Sequence, residues 1–395
     1  MSIDYEALVE VVQALVQVPS VYDPATGRSE EGAARLVAHQ LRSFGWTPEI
    51  DLVAPGRPNV YAVVEGGRPG PTLMFEGHTD VVTEGDRDAW SVDPFRGEIL
   101  DGRLYGRGSA DMKSGLIASM FAARAVADEG SFPGRILLAA LVDEEGMMAG
   151  ARHFVSTGRA DGVDAAICCE PEEGEVCNVS KGALRLRVDF AGAMAHGAMP
   201  FQGRNPNPVL ARFLGQLAEE EASLQAAHPT HAHLGDVHLT PTVLRAGEPA
   251  QMNVIPRDAA AWLDVRTIPG VDHAAVVEAI GARAAAAGHD AGVVGSVTVI
   301  DDRPAVSTPA TSPVVTALCE AHAAVTGQPA RLGGVPGATD GTVLTSRTGM
   351  PTVVYGPGGK WIAHQVDEFV EVAAIIEAAE VYREAALRFL SAAGP

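Results

Sequence analysis

Cysteine is scarce in this chain of 395 residues: Cys168, Cys169, Cys177 and Cys319, with no C-x-x-C pair among them. That spacing excludes a cysteine-built zinc site and a thioredoxin-like redox pair. A disulfide framework is not expected in a chain this long either. Basic residues are also few, 29 Lys and Arg against 50 Asp and Glu, for a net charge of -21. Nucleic-acid binding needs a basic footprint, so no nucleic-acid partner is expected. No uninterrupted apolar run is long enough to cross a bilayer, and the acidic stretch Met1 to Glu10 has no apolar signal core. The expectation is therefore no membrane and a cytoplasmic location. No G-x-S-x-G elbow occurs, which argues against a serine hydrolase. What is present is a globular composition, 47% hydrophobic and 20% charged, over a length that suits two domains.

Helix and strand signals alternate through the first half. Asp4 can cap a helix whose apolar positions Leu8, Val11, Val12, Leu15 and Val16 recur at helical spacing. Ser29 is placed to cap a second helix carrying Ala33, Leu36, Val37 and Leu41, with Gly45 as its stop. Short apolar runs at Val60–Val64, Thr72–Phe75, Ile136–Val142 and Ala165–Cys169 read as buried strands, with a helix at Leu116–Ala127. Near Lys181 the order becomes strand, helix, strand, strand, helix, strand, the signature of a small α+β sandwich. After Arg303 the α/β pattern returns, with helix Pro313–Val325, strand Thr352–Tyr355 and a closing helix from about Val370. The expected organisation is a catalytic domain from 1–180 and 303–395, interrupted by an inserted domain at 181–302.

Five segments place His or acidic residues just after an apolar run or in a glycine-rich loop. They hold His78 and Asp80, Asp111, Glu144 and Glu145, Glu170, and His364. Each alone has a bland reading: a helix cap for Asp111, a solvated acid run for Asp143 to Glu145, a turn residue for Glu170, a structural histidine for His364. The loop Gly106 to Gly115 also lacks the phosphate-binding spacing G-x-x-x-x-G-K-[ST]. Taken together the segments change the odds, because side chains at the carboxyl ends of several strands in an open α/β sheet converge on one crevice. Two histidines with several carboxylates and no thiolate suit a pair of zinc ions, with Co(2+) or Mn(2+) as substitutes on ligand type. The histidines at 228, 231, 233 and 238 read instead as a surface loop.

The order of these motifs resembles the acetylornithine deacetylase and succinyl-diaminopimelate desuccinylase family of two-metal peptidases and deacylases. The resemblance runs from His78 past His364. It implies a zinc-peptidase-like mixed sheet with helices on both faces, plus an inserted ferredoxin-like lid. It implies that His78 and Glu170 hold one zinc, that Glu145 and His364 hold the other, and that Asp111 bridges them across a cis Asp111–Met112 peptide. Asp80 would orient His78, and Glu144 would be the general base for a water held between the metals. Gly192-Ala193-Met194-Ala195-His196 matches the family's lid histidine motif, so His196 would help hold the oxyanion. Asn253 and Arg266 match substrate-contacting positions, and the planar fork of Arg266 suits a carboxylate. The implied activity is hydrolysis of the amide bond of a small N-acyl amino acid, of deacetylase, desuccinylase or aminoacylase type, in a homodimer joined through the lid. A dipeptidase or glutamate-carboxypeptidase-like enzyme is the alternative on the same centre. A catalytically silent metal-containing binding protein is the alternative of another class.

Overall fold

The computed structural model describes residues 3–392; the end residues 1–2 and 393–395 of the expected catalytic segments lie outside the described residues. The chain divides into two compact units, one of Met1–Asn178, Ser307–Val335 and Thr339–Pro395, the other of Val179–Val306 with Pro336–Ala338.

The first unit is built on a mixed sheet of nine strands among the described residues. In spatial order its middle runs Arg57–Glu65, Phe132–Leu141, Gly67–His78, Ala165–Cys168 and Thr352–Val354. The last four of these are mutually parallel, and Arg57–Glu65 is antiparallel to its neighbour. Strands covered on both faces read as near-continuous apolar runs, which is why Ile136 to Val142 and Ala165 to Cys169 show no alternation. Both faces are indeed covered. Val60, Ala62 and Val64 enter the large core formed with the helices Tyr5–Val16, Glu31–Ser43, Ser114–Asp128, Pro313–Thr326 and Val372–Ala392. Tyr61, pointing the other way, meets Phe154 of the helix Ala149–Ser156 at a ring separation of 5.5 Å.

The helix ends follow local chemistry. The Asp4 carboxylate accepts from the Ala7 amide at 3.1 Å and opens the first helix, which buries Leu8, Val12, Leu15 and Val16. Ser29 does not cap the second helix. The chain is already helical at Glu30, whose carboxylate is engaged by the buried Arg57 guanidinium, and no side chain caps that end. The closing helix starts at Val372, because Phe369–Glu371 first pairs as a short strand with Arg103–Tyr105.

The second unit has the order strand Gly182–Ala191, helix Asn207–Ala227, strands His238–Ala246 and Asp258–Thr267, helix His273–His289, strand Val294–Arg303. Its four-stranded sheet is antiparallel throughout, with Gly182–Ala191 and Asp258–Thr267 central and the other two at the edges. This is the ferredoxin-like arrangement. Leu184, Leu186, Val188 and Phe190 alternate into a core with Phe213 and Ile280. Among the described residues of the whole chain, no helix is long and apolar enough to cross a membrane.

Candidate metal centre

The parallel strands deliver the site. In register, His78 lies opposite Leu141, and Glu76 opposite Cys168, so three strands end at one edge of the sheet. His78 closes its strand. Glu144 and Glu145 follow shortly after Leu141, and Glu170 follows Cys168 by two residues. Asp111 lies in the irregular turn Ser109–Lys113 that enters the helix Ser114–Asp128, and its peptide bond to Met112 is cis. His364 is on the glycine-rich segment after Thr352–Val354, at φ +65°. Two glycines let that helix press on the strand ends. A Cβ on Gly77 would meet the Met112 methyl carbon at 2.6 Å, and one on Gly115 would meet the Cys169 carbonyl oxygen at 1.9 Å.

The five proposed ligands converge. The two oxygens of Asp111 divide between the histidines: Oδ1 is 3.2 Å from His78 Nε2, and Oδ2 is 3.3 Å from His364 Nε2. Glu170 Oε1 is 3.5 Å from His78 Nε2, and Glu145 Oε1 is 2.8 Å from His364 Nε2. The ligand atoms of His78, Asp111 and Glu145 lie within 4.8 Å of one another, as do those of His78, Glu144 and Glu170. Burial, together with the carboxylates of Glu145, Asp111 and Asp80, holds the Glu144 carboxyl well above the usual range, with His78 pulling against them. Burial likewise holds Glu170 well above it and raises Glu145. Hydrogen bonds donated to the Asp111 and Glu145 carboxylates push the His364 imidazole up to about 10. Burial disfavours the charged form of His78, yet Glu170, Asp111 and Asp80 outweigh it and raise the imidazole well above its ordinary value. A buried set of this kind, rich in facing carboxylates and bare of thiolate, is stabilised by divalent cations with nitrogen and oxygen ligands.

Supporting residues fix the ligands from behind. Asp80 Oδ1 and Oδ2 accept from the amides of Glu144 and Glu145 at 3.2 and 3.1 Å. His78 Nδ1 lies 2.9 Å from the Asp80 carbonyl oxygen and 3.6 Å from its carboxylate. Glu368 Oε1 accepts from the amides of Ala110 and Asp111, both at 3.0 Å, and its other oxygen pairs with buried Arg107. Arg107 also donates to the His364 carbonyl at 3.2 Å. Lys360 Nζ bonds Glu172 and Glu175 at 2.8 and 3.1 Å, so that acid cluster already has its cation. Arg57 joins Glu30 to Asp143, the residue before Glu144. The carboxyls of Glu76 and Asp340 are also buried; burial pushes Glu76 up to about 7, with Cys168, His78 and Asp340 pulling against it, and holds Asp340 well above its range. Asp80 was named from the sequence; the other supports were not. Only Glu368, four residues past His364 and preceded by Asp367, carried a local signal.

The other three predicted residues lie in the second unit. His196 pairs with Val254 across a two-residue ladder, and the Gly197 amide donates to the Asn253 carbonyl at 2.7 Å, which brings His196 and Asn253 to one loop cluster. Arg266 Nε and Nη2 bond the two carboxylate oxygens of Asp264 at 2.7 and 3.2 Å. Of the histidines at 228–238, His238 bonds Glu221 at 3.1 Å, and none joins a candidate metal group among the described residues.

A mixed α/β sheet with two histidines and clustered carboxylates at the ends of its parallel strands defines a hydrolase of the metallopeptidase and deacylase type. The model of Peptidase family M20/M25/M40 matches residues 74–388, and the chain belongs to that family. It is 33% identical over 402 residues to a succinyl-diaminopimelate desuccinylase from Rhodospirillum centenum, covering 98% of each chain. Its fold is shared with an M20 metallo-carboxypeptidase from Sulfolobus solfataricus, at TM-score 0.79 and 20% identity over 99% of this chain and 100% of that one. It is also shared with a dipeptidase from Saccharomyces cerevisiae, at TM-score 0.75 and 16% identity over the full length of both chains.

Proposed function

We propose that this enzyme hydrolyses the amide bond of small N-acyl amino acids with two zinc ions. His78 and Glu170 would hold one, Glu145 and His364 the other, and Asp111 would serve both. The observation that carries this reading is the division of the Asp111 oxygens between the two histidines, each of which has its own glutamate within 3.5 Å. When bound, the metals supply Lewis-acid polarisation of the scissile carbonyl and a lowered pKa for the attacking water.

The protein's own part is proton handling and orientation. Glu144 takes the proton of the attacking water and returns it to the leaving nitrogen. Asp80 fixes the Glu144–Glu145 turn through both amides, so that one side chain is free to act on water while its neighbour binds metal. His196 donates to the developing oxyanion, and Asn253 contacts the substrate beside it. Arg266 takes the substrate carboxylate. Asp264 engages two of its five N–H donors, and the remainder are available to a second anion.

A homodimer through the second unit is supported by the edge strand His238–Ala246, which leaves Val243 and Leu244 exposed along an unpaired backbone. Four free cysteines, three of them buried, fit a reducing compartment such as the cytoplasm. The test is metal analysis with a library of N-acyl amino acids and dipeptides, before and after chelation. Activity on acyl amino acids that is lost with chelator and restored by zinc is expected. Restoration only on dipeptides would replace the substrate class, and metal-loaded protein inert to the whole library would overturn the reading.

A further inference from the structure

We infer that this protein binds an organic cation with an apolar body in a cavity of its first unit. The cavity, of about 540 Å³, lies between the glycine-rich loop 356–362 and the start of the closing helix Val372–Ala392. None of the five proposed metal ligands lines it. The inference goes beyond the hydrolytic reading above and does not depend on it.

Bare backbone forms part of the wall, because Gly356, Gly358 and Gly359 all line the cavity. The loop is pressed against the body of the unit. A Cβ on Gly356 would meet the Glu170 carbonyl oxygen at 2.5 Å, and one on Gly358, at φ +91°, would meet the Ala110 Cβ at 3.0 Å. The Glu173 amide donates to the Gly358 carbonyl at 2.9 Å, and the Ile362 amide to the Gly359 carbonyl at 3.1 Å. Trp361, Ile362, Phe369 and the buried ring of Tyr355 supply an apolar and aromatic wall. The Tyr355 oxygen is already engaged, 3.0 Å from His322 Nδ1. This volume and lining are those of a small-molecule site. Trp361 is 65% exposed on a loop whose backbone is bonded, which leaves its indole open to a ligand.

Charge sets the class of ligand. The cavity is lined by Glu173, Glu371 and Glu377 and by no Lys, Arg or His. The cations around it are already engaged. Arg103 lies 4.4 Å from the Phe369 ring centre and 3.5 Å from Glu371, Lys360 is held by Glu172 and Glu175, and Arg331 reaches Glu175 at 3.6 Å. Arg103 thus displays at the rim the chemistry that suits the interior, a cation on an aromatic face beside a carboxylate. Glu173 and Glu377 have no ion pair among the described residues. A Cβ on Gly359 would meet Glu173 Oε1 at 2.8 Å, which places that carboxylate at the glycine wall. Burial, and then the Glu377 carboxylate, raise the Tyr355 phenol above its ordinary value, which places the second carboxylate beside the aromatic wall. A cation between them is attracted by both while its apolar body covers Trp361, Ile362 and Phe369; an anion of the same shape is repelled.

The test uses benzyltrimethylammonium, whose quaternary nitrogen has no lone pair and cannot ligate zinc, with phenylacetate as the anionic counterpart. Titration calorimetry and tryptophan fluorescence are run on the metal-loaded full-length protein, on Trp361→Ala, and on the double variant Glu173→Gln with Glu377→Gln. All three positions are exposed and lie outside the proposed catalytic machinery. Saturable binding of the cation, one per chain, is expected with a Kd of about 1 mM or below. Phenylacetate is expected to bind at least about tenfold more weakly. Trp361→Ala is expected to weaken the cation about tenfold, as loss of the indole face would. The double variant is expected to weaken it by a factor on the order of ten, through loss of two exposed charge contacts. No saturable binding of the cation up to about 10 mM overturns the inference, as when a second copy covers the cavity. Equal affinity for phenylacetate overturns it too. So does an affinity unmoved by Trp361→Ala and by the double variant, which would put the cation elsewhere on this acidic chain.

Discussion

Asp80 and Glu144 are joined through the backbone: the Asp80 carboxylate accepts the Glu144 amide at 3.2 Å and, with its other oxygen, the Glu145 amide at 3.1 Å. The acid that the motif His78-x-Asp80 offers to the imidazole therefore also sets the turn that carries Glu144 and Glu145, the proposed general base and a proposed metal ligand. Asp80→Asn would turn one of these acceptors into an NH2 facing an N–H. Turnover is expected to fall about 10–100-fold, the usual cost of losing a partner behind a metal site. Metal content should stay near that of the parent, because no ligand atom is removed. Kinetics and metal analysis on the same preparation check this, and an unchanged kcat would remove Asp80 from the active-site frame.

Glu144→Gln keeps the shape of the side chain and its backbone anchor but cannot carry the proton. Loss of about 10²–10⁴ in kcat is expected, the range of a general acid–base contribution. Substrate KM and bound metal should change little. Near-normal turnover would show that another group moves the proton.

Arg107 and Glu368 form an ion pair whose side chains are 3 and 0% exposed, and between them they hold the backbone of both Asp111 and His364. Arg107→Met leaves the Glu368 carboxyl buried without its cation, and a cost of about 3–5 kcal/mol in unfolding free energy is expected. The double variant Arg107→Met with Glu368→Met is not expected to recover. It leaves the amides of Ala110 and Asp111 without an acceptor, at about 1–3 kcal/mol each. Urea unfolding of the three proteins distinguishes these outcomes, and full recovery in the double variant would mean that the amide bonds contribute nothing.

Of the proposed ligands, His78, Glu145, Glu170 and His364 were legible in the sequence because they follow apolar runs that end at the same edge of a parallel sheet, whereas Asp111 follows the short strand Arg103–Tyr105 of a separate sheet and was legible only from its glycine-rich loop. The strand-to-loop boundary is a one-dimensional signal of a three-dimensional convergence. The second unit was legible from element order alone, since strands and helices of ordinary length keep their periodicity. Asp80 aside, the supports were not. Arg57 and Asp143 meet across 86 positions of chain, and Arg107 and Glu368 across 261. Such pairings leave no local pattern. The short strands Ile99–Leu100 and Arg103–Tyr105 are too brief to show a period. The second helix began without a Ser29 cap because the tertiary demand of Arg57 on Glu30 set its start.

Lys113 gives the fold a pH dependence that can be signed in advance. It is fully buried, and its ammonium donates to the carbonyls of Leu15 and Val18 at 3.0 and 2.8 Å. Burial lowers its pKa from 10.5 to about 7, with Glu368 and Asp80 pulling partly back. In the unfolded chain it titrates at the ordinary value. Between pH 7 and 10.5 the unfolded state therefore binds more protons than the folded one, and this residue's contribution to stability rises with pH. Below about pH 7 both states are charged, and the burial penalty is constant. Lys113→Met removes the titration, so the stability gap between parent and variant should shift in the parent's favour from about pH 6.5 to about pH 9. Urea unfolding at the two pH values measures it. A gap that does not move would mean that the two carbonyls solvate the buried ammonium as well as water does, and that Lys113 is charged in the folded enzyme throughout.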